Sequence, residues 1–165
     1  MNRIFRYLFF GLAAVVLQTY LIPSIGIGGQ RPDLIVIFAL TAGIFEGSSG
    51  GSLAGFLAGL AVDLYHPPTF GAGAIAGTVA GYLGGWAQTF LDLDHVLNRL
   101  MAYAGAHAVH TLLFAIVASL QGTGPAVKLF IANGFGGAVY TALVGAIVLM
   151  VVGLVRGRKH IVDRR

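Results

Sequence analysis

The sequence has no cysteine and few charged residues. The absence of cysteine excludes disulfides, thiolate metal sites and a cysteine nucleophile. Charged side chains make up 10% of the 165 residues, whereas a soluble domain carries about 25%. Since hydrophobic residues supply 57% of the chain, the composition predicts an integral membrane protein with little sequence left for a soluble lobe.

Motifs that would indicate an enzyme are also missing. The sequence contains no phosphate-binding loop, no Cys/His zinc pattern and no dinucleotide fingerprint. Residues 47–50 (GSSG) match the GxSG signature of rhomboid-type intramembrane serine proteases, but any tight turn can have this composition. His107 and His110 share one helical face and could ligate a metal or relay protons, yet histidines that bond across helices are commoner. We therefore expect no catalysis, no cofactor and no metal.

Glycine, by contrast, is abundant, with 25 residues. Every fourth position reads Gly51, Gly55, Gly59 and Asp63, then, after a His-Pro-Pro turn, Gly73, Gly77, Gly81 and Gly85. Residues four apart lie on one face of a helix, so each half is predicted to be a helix with a stripe free of side chains. An interior glycine costs a water-soluble helix about 1 kcal/mol relative to alanine, but in a membrane small residues let helices approach closely. The two ladders predict the packed centre of a helical bundle.

Six apolar segments are separated by turns and polar stretches. They cover residues 5–22, 33–46, 51–64, 71–91, 100–120 and 126–155. A span needs about 20 apolar residues, or fewer when protein surrounds it. The sequence thus predicts one all-α polytopic membrane domain over residues 1–165, with six transmembrane helices. The N-terminal run lacks a small-x-small cleavage site and is predicted to be a retained span. A bend is predicted at residues 133–137, because the last segment is too long for one straight span.

The basic residues predict the orientation. With six spans both termini lie on the same side, together with Arg99 and seven terminal Lys/Arg residues. Only Arg31 and Lys128 fall on the other side. The positive-inside rule therefore places both termini in the cytoplasm.

Four polar residues gather at the outer ends of the second and third spans in this topology: Arg31, Asp33, Asp63 and His66. Asp33 follows Pro32 and is predicted to cap the second helix. A carboxylate inside a span, such as Asp63, is costly and usually faces protein or a wet cavity. One interpretation is an outward-facing pocket or partner-binding notch. The other is structural: Asp63 accepts hydrogen bonds from helix ends near the proline turn, or pairs with Arg31.

An ordered set of motifs over residues 30–80 carries a family resemblance. Pro32-Asp33 opens the second span, Gly51-Gly55-Gly59-Leu60-Asp63 follows, and Pro67-Pro68 precedes Phe70-Gly71. This order closely resembles the MreD family of bacterial rod-shape-determining membrane proteins. The turn EGSSGG departs from the pattern, because the family would be expected to carry a basic residue there.

The resemblance implies a function, a set of partners and a fold. It implies a non-enzymatic scaffold of the cell-elongation complex, which synthesises peptidoglycan at the bacterial inner membrane. The chief partner would be an MreC-like single-span protein, beside the RodA glycosyltransferase, a penicillin-binding transpeptidase, MreB and membrane lipid. Self-association stays open, and no nucleic acid is expected. The implied fold is similar to the substrate-capture subunits of energy-coupling-factor vitamin transporters. A small-molecule capture subunit is therefore the alternative.

Overall fold

The computed structural model describes residues 3–24 and 30–156, and in this part of the chain the fold is all-α. The helices are α1 (Arg3–Val16), α2 (Leu34–Asp63), α3 (Ala72–Phe90), α4 (Val96–Leu120) and α5 (Ala126–Arg156). A π-helical turn (Leu17–Leu21) and a 3-10 turn (Ile22–Ser24) continue α1, and a second 3-10 turn (Pro67–Thr69) precedes α3. Arg156 ends α5, whereas the other basic C-terminal residues that support the predicted orientation, at positions 158, 159, 164 and 165, lie outside the described residues.

Helix α2 is a hairpin of two helical arms. Gly47 has φ 83° and ψ 174°, a backbone conformation that only glycine adopts readily. Across it, a Cβ on Gly51 would meet the backbone of Gly43, and one on Gly55 would meet the side chain of Ala39. The two arms, residues 34–46 (α2a) and 48–63 (α2b), are therefore antiparallel. The described chain thus has six helical segments. The reversal between the second and the third is made at Gly47 alone, and α2b begins at Ser48, three residues before the predicted start at residue 51.

The two glycine ladders pack directly against each other. The facing pairs of α2b and α3 are Gly59 with Gly73, Gly55 with Gly77, and Gly51 with Gly81. At each pair a Cβ would collide with the backbone of the opposite helix. The hydrogen that glycine carries there points at a carbonyl oxygen, a weak contact that recurs at helix interfaces. The helix α2a joins the same junction, since Gly43 contacts the backbone of Gly81 and Gly84 lies on the backbone of Leu40.

A second core region lies between α2a, α4 and α5. Its centre is Tyr103, which is fully buried, and its hydroxyl lies 2.7 Å from the Oγ1 of Thr41. The ring packs on Gly145 of α5, where a Cβ would overlap it. Leu40, Ile44 and Leu149 surround the same region. Tyr103 of α4 therefore links this helix to both α2a and α5.

Three helical stretches are long and apolar enough to cross a membrane. They are Leu34–Asp63, Val96–Leu120 and Gly136–Leu154, with a shorter apolar helix at Phe9–Leu21. Because Leu34–Asp63 folds back at Gly47, its arms are only about 20–24 Å long at 1.5 Å per residue. Helix α5 continues through residues 133–137, and the bend predicted there stays a prediction. A Cβ on Gly136 would collide with the side chain of Gln30, and one on Gly137 would collide with the ring of His107, so both glycines allow close contact with α5.

Candidate functional site

A cavity of about 450 Å³ lies where α2a begins, α2b ends and α3 begins. One wall comes from α4, and Gln18 of the π-helical turn, residues 30–32 and Leu129 in the first turn of α5 also line the cavity. The predicted residues Arg31, Asp33, Asp63 and His66 all line this cavity, as do His107 and His110. Its volume lies in the range of small-molecule sites, about 300–1,000 Å³. The structure thus brings the predicted polar residues together, and binding by them stays a prediction.

Asp63 caps α3 from the end of the preceding helix. Its Oδ2 accepts hydrogen bonds from the backbone N–H groups of Gly71 at 3.0 Å and Ala74 at 2.9 Å, and its Oδ1 accepts one from Gly73 at 3.0 Å. N–H groups in the first turn of a helix have no partner within the helix, and the helix dipole favours a negative charge there. The carboxylate is only 1% exposed. Asp63 thus has a structural role as a helix cap, and no ion pair joins it to Arg31, although the structure describes both residues.

Two glycines make this cap possible. Gly71 has φ 90°, in the left-handed region, which turns its N–H toward the carboxylate. A Cβ on Gly73 would lie 2.5 Å from Oδ1 of Asp63, so any larger residue would displace the carboxylate. Gly71 of the Phe-Gly motif and Gly73 of the glycine ladder are therefore both required for the Asp63 cap.

Asp33 joins three helices at the floor of the cavity. It is the N-cap of α2a, as the Pro-Asp sequence predicts: Oδ1 accepts from the N–H groups of Ile35 and Val36 at 3.0 and 3.1 Å. Its Oδ2 lies 3.3 Å from Nδ1 of His110 on α4. Its own N–H donates to Oγ1 of Thr141 on α5 at 2.9 Å. The start of α2a is thereby fixed to both neighbouring helices.

The two histidines face the bundle interior and bond across helices. The Nδ1 of His107 lies 3.3 Å from Oγ1 of Thr141, and its Nε2 lies 3.2 Å from Oγ1 of Thr111. His110 pairs with Asp33, and its Nε2 is the one buried side-chain polar atom without a partner among the described residues. No group of three or more metal-ligating side chains occurs in the described part of the chain.

The exposed residues of the cavity are Arg31 and His66. The Nδ1 of His66 lies 3.3 Å from the carbonyl oxygen of Val62 in the last turn of α2b. Arg31 makes no ion pair with any residue that the structure describes. The cavity therefore has a buried polar floor and an exposed mouth with a cationic side chain.

The GSSG serines lie at the opposite end of the hairpin from this cavity. Ser48 and Ser49 follow Gly47, about 20 Å from the Asp33 end of α2a by the helical rise. A serine nucleophile and its base must be within hydrogen-bond reach. In the described structure Ser48 and Ser49 begin α2b, and the two histidines line the cavity at the other end of the hairpin.

Sequence reasoning missed two residues that hold the floor of the cavity. Thr141 is fully buried and bridges Asp33 and His107. Gln18 accepts a hydrogen bond from the N–H of Leu34 at 2.8 Å. The available signal was an isolated polar residue within an apolar segment, but its partner depends on which helices become neighbours.

The comparison with protein families gives one match over almost the whole chain. A family model described as MreD, rod shape-determining protein, matches residues 1–157. The searches of curated proteins and of solved structures found no match.

Proposed function

The chain belongs to the MreD family of rod shape-determining proteins, and from this premise we propose that it is a non-enzymatic membrane scaffold of the cell-elongation complex. Family membership implies a role in determining rod shape. The proposal adds that the protein lies in the bacterial inner membrane with both termini in the cytoplasm. There it would bind an MreC-like single-span protein, close to RodA, a penicillin-binding transpeptidase and MreB.

The family match over residues 1–157 carries this proposal. The geometry supports it, because the polar residues in the cavity hold helices together. Asp63 and Asp33 cap α3 and α2a, and Ser48 and Ser49 begin α2b beside the reversal at Gly47. Direct backbone contact along the glycine ladders gives a core with little freedom to deform. A rigid helical unit of this kind is suited to positioning other membrane proteins.

A second candidate function, capture of a vitamin-like small molecule, is favoured by the cavity of about 450 Å³. It would accompany a fold similar to the capture subunits of energy-coupling-factor transporters. In that case the occupant would enter past Arg31 and His66. The two candidates differ in what stays with the purified protein.

Depletion and co-purification test the scaffold proposal. We expect a rod-shaped bacterium depleted of this protein to become round, and an MreC-like protein to co-purify with the tagged chain in mild detergent. Native mass spectrometry of the same preparation tests the alternative. Normal rods after depletion, or a vitamin bound in stoichiometric amount without the single-span partner, would contradict the scaffold proposal.

A further inference from the structure

The floor of the cavity contains a hydrogen-bond acceptor without a donor. The side chain of His110 is 10% exposed, and its Nδ1 lies 3.3 Å from Oδ2 of Asp33. A carboxylate can only accept, so Nδ1 carries the hydrogen, and Nε2 of the neutral ring is an acceptor. Nε2 is buried and has no partner among the described residues. Because an unpaired buried acceptor loses the free energy of its hydration, the site favours an occupant that donates a hydrogen bond.

The two carboxylates of the cavity do not provide a free negative charge. Asp63 accepts three N–H groups at the start of α3, and Asp33 accepts two at the start of α2a. The positive ends of the two helix dipoles offset these charges. The donor that best suits His110 is therefore an uncharged hydroxyl group, because an ammonium ion would find no uncompensated carboxylate.

The mouth of the cavity favours an anionic hydrogen-bond acceptor, whereas the floor favours a donor. Arg31 is exposed, lines the cavity and makes no ion pair within the described residues. A guanidinium group binds phosphate through paired N–H donors. An occupant with a phosphate at the mouth and a hydroxyl group at the floor would satisfy both ends.

We propose that this cavity binds a phosphorylated polyol, with the phosphate on Arg31 and a hydroxyl donating to Nε2 of His110. The volume of about 450 Å³ accommodates a group of this size. Two sources share this chemistry: the glycerophosphate headgroup of an anionic lipid, and a soluble polyol phosphate. The inference concerns the cavity alone and does not require the scaffold role, so ligand binding and cell shape can fail independently.

Native mass spectrometry of the full chain from mixed-lipid nanodiscs tests the lipid source. With equal amounts of phosphatidylglycerol, phosphatidylethanolamine and phosphatidylcholine, we expect phosphatidylglycerol to be retained at least about fivefold over each of the others. Thermal unfolding in detergent with sn-glycerol 3-phosphate tests the soluble source, with glycerol and inorganic phosphate as controls. A melting temperature that rises with sn-glycerol 3-phosphate, and with neither glycerol nor inorganic phosphate, would support the soluble source.

Three variants test the residues. Arg31→Gln removes the cation, and His110→Asn keeps a donor toward Asp33 while removing the Nε2 acceptor. We expect each to reduce retention, or the melting shift, at least about fivefold. Lys128→Gln is the matched control, because Lys128 is exposed and does not line the cavity, and it should bind like the parent chain. The proposal would be overturned if neither probe binds or if phosphatidylethanolamine is preferred. It would also be overturned if Lys128→Gln loses as much binding as Arg31→Gln and His110→Asn.

Discussion

At the scale of single residues, the polar atoms around the cavity stabilise the ends of helices. Asp63 accepts three backbone N–H groups, and Asp33 accepts two while its own N–H binds Thr141. Each of these groups would otherwise be unpaired at a helix terminus in a nonpolar environment, where unsatisfied polar groups are costly. The buried carboxylate of Asp63 is thus explained by its partners, without an ion pair.

The stability of two Asp63 variants tests this role. Asp63→Leu removes the acceptor of three N–H groups, so we expect it to lower the free energy of unfolding by about 3 kcal/mol or more. Asp63→Asn keeps one acceptor oxygen and replaces the other by an N–H₂ group that faces a donor, so roughly half that loss is expected. Denaturant titration in mixed micelles measures both. Equal stability of the parent and Asp63→Leu would contradict the cap.

At the scale of elements, the unit of α2a, α2b and α3 depends on contact between backbones. The pairs at Gly51, Gly55 and Gly59 leave no space for a Cβ. Packing of this closeness needs glycine because even one methyl group would push the helices apart.

A pair of alanine substitutions tests the glycine packing. Gly55→Ala places a methyl group against the carbonyl oxygen of Gly77 and 3.1 Å from the Cβ of Ala39. We expect this overpacking to cost about 1–3 kcal/mol. Gly105→Ala is the control, because Gly105 is exposed on α4 and a Cβ there meets nothing within 4 Å. It should be neutral or stabilising by up to about 1 kcal/mol. Equal effects of the two substitutions would show that the glycine ladder does not determine the packing.

The sequence was sufficient to predict where the elements lie, because its signals are local. The Pro-Asp start, the GSSG turn and the His-Pro-Pro turn sit at the ends of the arms 34–46 and 48–63 and at the start of α3. The fourfold spacing of glycine also predicts a packed face. Gly43 and Gly84 were missed, because the contact between α2a and α3 arises only once the hairpin has closed.

The candidate site could be predicted only in part, because some of its contacts arise only when distant helices pack together. The predicted topology groups Arg31, Asp33, Asp63 and His66 at the outer ends of the second and third spans, and the structure places all four around one cavity. The floor of the cavity could not be derived, because Thr141 meets Asp33 only through the packing of α5, 108 residues away in sequence. The choice between an ion pair and a helix cap for Asp63 likewise required the backbone geometry at Gly71 and Gly73.

At the scale of the whole molecule, the polar cavity and the GSSG turn lie at opposite ends of one hairpin. The arms of α2 run antiparallel from Asp33 to Gly47 and back to Asp63. Helices α3, α4 and α5 pack around this hairpin, and their apolar outer surfaces include Tyr82, Trp86 and Leu143. If both arms of the hairpin cross a membrane, the turn and the cavity face different sides.

Cysteine accessibility tests this arrangement most directly, because the chain has no cysteine of its own. Ser49→Cys marks the hairpin turn, and Tyr65→Cys marks the exposed end of α2b beside the cavity. With a membrane-impermeant maleimide on intact spheroplasts, we predict labelling of Tyr65→Cys and no labelling of Ser49→Cys until the cells are opened. Labelling of both cysteines from the same side would contradict the hairpin across the membrane.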